Sequence, residues 1–106
     1  MSLDLCVGDN LEEASRAKTI AAIDRIGHKS IMRYVYQHEF PLLYRMINYT
    51  SDSQYLASEV VGFASEVMNL KKVIRGNSSD QYLLDRIIAV TNSALEMRKG
   101  IYVICD

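Results

Sequence analysis

His38 is the side chain with the most obvious chemical potential in this sequence. Ile31, Val35, His38 and Leu42 are spaced 4, 3 and 4 apart, so a continuous helix would set His38 on an apolar seam. An imidazole there could ligate a metal or act as a general base. The plainer expectation is a core or boundary histidine bonded to a backbone carbonyl that Pro41 leaves without its usual partner. Asp24 and His28 stand four apart and could share a helix face around a divalent ion, with a solvated contact at a helix end as the plainer alternative. Glu59 and Glu66, seven apart, could hold a cation or serve as an acid–base pair, or simply flank a seam in solvent. Cys6 and Cys105 are the 2 cysteines. They are too few for a zinc site, but they could form one disulfide if the chain ends meet; otherwise they are small buried apolar residues in a reducing compartment.

Arg33-Tyr34-Val35-Tyr36-Gln37-His38 has the spacing Arg-x-x-x-x-His. These six residues resemble the short signature of HEPN-type ribonucleases. That resemblance implies an all-α dimer in which Arg33 and His38 line a cleft between subunits. The His would assist attack by an RNA 2′-hydroxyl and the Arg would steady the phosphate. Five helical steps set the two side chains well apart around an axis unless Pro41 rewinds the turn. His38-Glu39-Phe40-Pro41 is similar to one stretch of hemerythrin-like helices, but the further histidines of an iron site are missing and nothing is carried over from that family. There is no glycine-rich phosphate loop, no Gly-x-Ser-x-Gly and no His-Glu-x-x-His, so no cofactor is implied.

The elements that would position these residues read as four helices. The first runs from about Leu11 to Ile26, with Asp9 or Asn10 as N-cap and Gly27 as stop. The second runs from about Ser30 to Tyr49 and contains the single proline, Pro41, where it kinks or breaks. The third runs from about Ser53 to Arg75. Its residues Leu56, Val60, Phe63, Val67, Leu70 and Ile74 make a heptad seam, and Val61, Met68 and Val73 widen its apolar face toward a second neighbour. The fourth runs from about Asp80 to Lys99, with a seam of Leu83, Ile87, Val90, Ala94 and Met97 and a parallel row of Leu84, Ile88, Thr91 and Leu95. Short links make sequential helices antiparallel. The expected fold is therefore an all-α, four-helix up-and-down bundle in one domain, residues 1–106.

An even helix count brings both tails, residues 1–8 and 101–106, to the same end. Leu3 to Val7 and Ile101 to Cys105 are apolar, and the second run is β-branched and aromatic. The tails either pair as a short antiparallel ribbon or dock over the bundle's end; alternatively, residues from Ile101 onward continue the fourth helix.

A chain of 106 residues with 49% hydrophobic and 24% charged residues has the composition of a globular protein. Its formal net charge of −1 supplies no basic field for nucleic acid or an anionic membrane. No apolar run approaches the roughly 20 residues of a membrane span, and no signal peptide is visible, so the expected compartment is the cytoplasm. Tyr34, Tyr36, Phe40 and Tyr44 cluster with Arg33 and Arg45, a mixture favoured at interfaces. Helix two is apolar on several sides, as a helix shared with another chain would be. The function expected on these grounds is a non-enzymatic interaction module that self-associates, most simply as a homodimer. The alternatives are a HEPN-like ribonuclease using Arg33 and His38, and a metal-binding bundle using Asp24, His28, His38 or the glutamates.

Overall fold

The computed structural model describes residues 1–105. It is a mixed α+β fold and overturns the all-α four-helix bundle. In chain order the elements are β1 (Leu3–Gly8), α1 (Leu11–Arg16), β2 (Ala21–Ile23), α2 (Arg25–Met32), a 3₁₀ turn (Leu43–Met46), β3 (Ser53–Tyr55), a 3₁₀ turn (Ala57–Glu59), α3 (Val60–Val73), α4 (Ser78–Met97) and β4 (Gly100–Cys105).

Both tails are strands, and they form the centre of a four-stranded sheet with the order β2-β1-β4-β3. β1 and β4 run antiparallel over their full length, from Leu3 opposite Cys105 to Gly8 opposite Gly100. Leu3, Leu5 and Val7 alternate on one face with Asp4 and Cys6 on the other, and Ile101 and Val103 alternate with Tyr102 in the same way. The first set is buried under the helices. Such a ribbon is marginal alone. Here β2 pairs with Leu3–Leu5 and β3 with Ile101–Val103, while α4 packs on β1, β2 and β4.

The expected first helix divides in two. After α1 the chain leaves helical geometry at Ala17. Ala21 and Ile23 are buried with exposed Ala22 between them, a strand alternation that the alanine-rich composition disguises. Asp24 is not inside that helix but caps the next one, its Oδ1 accepting the Gly27 N–H at 2.7 Å. The expected second helix also fails. α2 ends at Met32, a string of turns follows, and exposed Pro41 lies between them and the 3₁₀ turn. The Leu42 and Leu43 N–H groups donate to the Glu66 carboxylate at 2.9–3.1 Å, so a side chain from α3 replaces the helical acceptors that a continuous helix would have offered.

The third helix persists in shortened form, and the fourth keeps its length but starts two residues earlier. Val60, Phe63, Val67, Leu70 and Ile74 are all buried, as are Ile87, Val90 and Ala94. Leu56 is exposed, and Leu84 rather than Leu83 is fully buried on α4. α4 stops at Arg98, which takes the left-handed conformation (φ 57°) and donates its N–H back to the last turn. Gly100, two residues further on, has its own task. A Cβ there would lie 2.6 Å from the Tyr55 carbonyl oxygen, so only glycine lets β3 approach β4 so closely.

Candidate functional site

The expected site residues do not converge. Arg33 is the exposed C-cap of α2, with its guanidinium over the Tyr34 ring at 5.0 Å. His38 is exposed in the turns beyond and lies on no seam, because the helix that would have created one ends at Met32. No hydrogen bond or ion pair joins the two among the described residues. The mixed fold also departs from the all-α architecture that the HEPN resemblance implied.

His28 is the buried histidine. Its Nε2 lies 2.6 Å from the Met46 carbonyl oxygen. A carbonyl only accepts, so Nε2 carries the proton and donates. The ring packs 5.2 Å from Tyr49. Asp24 caps α2 and His28 lies within it, but one oxygen of Asp24 is engaged in capping and the Nε2 of His28 in holding the 3₁₀ turn. Among the described residues no group of three or more His, Cys, Asp or Glu side chains is arranged to hold a metal ion.

Cys6 and Cys105 are both free. Cys6 stands opposite Tyr102 and Cys105 opposite Leu3, which puts them on opposite faces of the sheet. Strand pairing therefore separates the thiols although it joins the tails. Of the aromatic cluster, Phe40 is core, Tyr34 and Tyr44 are half-buried against that core, and Tyr36 is exposed. The many-sided apolarity of residues 31–47 has a plain cause: this segment folds into the core as turns, so its side chains need no common face.

Glu59 and Glu66 are not free carboxylates. Glu59 grips Arg45 through both oxygens, at 2.9 and 2.5 Å, and accepts the Leu56 N–H at 2.9 Å. The Arg45 pairing and the Leu56 bond hold the Glu59 carboxyl at about 2, well below the usual range. Arg45 also lies 5.4 Å over Tyr55. Tyr55 stacks on Phe63 at 4.1 Å and donates to the Leu42 carbonyl at 2.6 Å, and burial pushes its hydroxyl up. This network locks β3, the 3₁₀ turns and α3 together.

The least accounted-for surface is the outside of the α3–α4 hairpin. Lys71 on α3 meets Asp85 on α4 at 2.5 Å, and the Gln81 amide donates to the Lys71 carbonyl at 3.2 Å. By helical spacing Val61, Ala64 and Met68 fall on the same stripe of α3 as Lys71, and Ile88, Asn92 and Leu95 on the same stripe of α4 as Asp85. Val61 is 65% exposed, Met68 47% and Leu95 40%, over a half-buried floor of Ala64 and Ile88. The outer side of a surface helix is ordinarily polar. The sequence signals this row through Val61, Met68, Ile88 and Leu95, which lie beside the seams; only the packing reveals that Val61, Met68 and Leu95 stay exposed among the described residues.

No family model, curated protein or solved structure matches this chain. No helix among the described residues is long and apolar enough to cross a membrane.

Proposed function

We propose that this protein is a non-enzymatic interaction module that self-associates through the outer face of the α3–α4 hairpin. The observation that carries the reading is the row Val61, Met68 and Leu95, apolar and exposed along both helices. Exposed apolar side chains that fall on one stripe of each helix support an interaction surface there. The occupant is a second copy of the same chain. Lys72 flanks one end of the row and Glu96 the other, both exposed. A two-fold arrangement with antiparallel hairpins sets each copy's Lys72 against the other's Glu96, as an isologous interface requires. A formal net charge of −1 leaves little self-repulsion to oppose it.

Zero-length carbodiimide cross-linking, followed by peptide mass spectrometry, tests the arrangement. Lys72 and Glu96 lie at opposite ends of one hairpin, so their cross-link forms only between copies. A Lys72–Glu96 link in a dimeric band is the expected result. A dimeric band whose links all lie outside the hairpin, or no dimeric band at any protein concentration, overturns the reading.

A further inference from the structure

α2 and α4 begin beside one another, and the space between their first turns is a cleft of about 490 Å³. Asp24, Ile26, Ser30, Asn77, Asp80 and Leu83 contribute to its lining. Asp24 and Asn77 are the N-caps of the two helices, accepting the Gly27 and Asp80 N–H groups at 2.7 and 3.1 Å. Asp80 is different. It is only 2% exposed, its Oδ2 has no hydrogen-bond partner, and no ion pair reaches it among the described residues. A buried carboxylate in that condition is costly. The first turn of α4 offsets part of the cost through the helix dipole, but an oxygen without a donor retains its desolvation penalty.

We propose that this cleft binds an organic cation, an ammonium or guanidinium head on a short methylene stem. The head would supply the donors that Asp80 lacks, with the Asp24 carboxylate adding a second negative charge. The stem would lie along the apolar walls that Ile26 and Leu83 provide, as a Lys or Arg side chain buries its stem while pairing its head. The donor set argues against a metal ion. Only two carboxylates line the space, one of them already holding a helix cap, whereas hard cations gather six or more oxygens. The volume also falls within the range of small-ligand sites rather than that of a bare ion. The same chemistry comes from two sources, a free amine or a Lys or Arg side chain on another polypeptide.

Amide chemical-shift mapping on the full chain decides the matter, with agmatine and an acetylated, amidated Ala-Arg-Ala tripeptide as separate probes and calcium chloride as the third arm. Agmatine or the tripeptide should shift the amides of Ile26, Ser30, Asp80 and Leu83. A response to agmatine alone assigns the cleft to a free amine. A response to the tripeptide, with or without agmatine, shows that it admits a polypeptide side chain. Asp80→Asn should weaken binding at least about tenfold, the scale of one lost hydrogen bond to a charged group. Asp24→Asn keeps a good N-cap while removing the charge, so it carries the same comparison if Asp80→Asn does not fold. No shift of the cleft amides with either organic cation at millimolar concentration overturns the proposal. So does binding of calcium in their place, or organic-cation binding that neither substitution weakens. The Ile26 and Ser30 amides lie on α2, outside the hairpin, so their response separates this proposal from self-association through the hairpin face.

Discussion

Leu5 stands directly opposite Val103 at the centre of the sheet, and both are fully buried. Leu3–Gly8 and Gly100–Cys105 are thus each other's main support, and the four-stranded sheet needs both. Leu5→Ala should cost about 2–5 kcal/mol in urea unfolding, the range for a buried leucine cut to alanine. A chain ending at Lys99 should show no cooperative transition. A loss below about 1 kcal/mol for Leu5→Ala, or cooperative unfolding of the truncated chain, would mean that β1 and β4 are not the centre of the fold.

The two histidines should respond very differently to removal. His28→Ala removes a buried ring and leaves the Met46 carbonyl without its donor, a loss of about 1–3 kcal/mol from the hydrogen bond alone. His38→Ala, at an exposed turn position, should change stability by less than about 0.5 kcal/mol. Thermal melts of both variants check the contrast.

Glu66 should matter more than an ordinary surface glutamate. Glu66→Ala strips the acceptor from the Leu42 and Leu43 N–H groups, and should cost about 1–3 kcal/mol. Glu66→Gln keeps one acceptor oxygen and should cost less. Urea melts that rank the two equally would show that the cap is not what fixes the turn after Pro41.

The Arg45–Glu59 pair gives acid stability a defined window. Its carboxyl is held at about 2 in the folded state against about 4.3 in an unfolded chain. The pair's contribution is therefore fully present above the unfolded value and is lost as pH falls toward the folded one. Glu59 and Arg45 are both partly exposed, so solvent screening keeps the contribution small. Glu59→Gln should flatten the stability-versus-pH curve between about pH 4.3 and 2. A curve of unchanged slope in that window would show that another carboxylate governs the acid limb.

The parts of the fold visible in the sequence are those whose signal spans several turns. Val60 through Ile74 carries its spacing over a whole helix, and the structure buries those residues. Ala21–Ile23 and Ser53–Tyr55 are strands of three residues, too short for periodicity to separate strand from helix. What makes them strands is distant: Leu3–Leu5 recruits one and Ile101–Val103 the other. The placement of His38 on a seam depended on helical phase continuing past Met32, and the turns around Pro41 end that phase. Asp80 looks like an ordinary acidic residue in a first turn. Its burial, at the start of α4 where α2 also contributes to the cleft, is a tertiary feature that no local pattern encodes.

Sedimentation velocity on the intact chain and on Met68→Glu tests self-association through the hairpin face most directly. Met68 is half exposed, so a charge there should leave the far-ultraviolet circular dichroism unchanged while placing two like charges in the dimer interface. The expected result is a concentration-dependent monomer–dimer equilibrium for the natural chain and a monomer for Met68→Glu. A strict monomer for the natural chain at high concentration, or a dimer that Met68→Glu does not weaken, would contradict it.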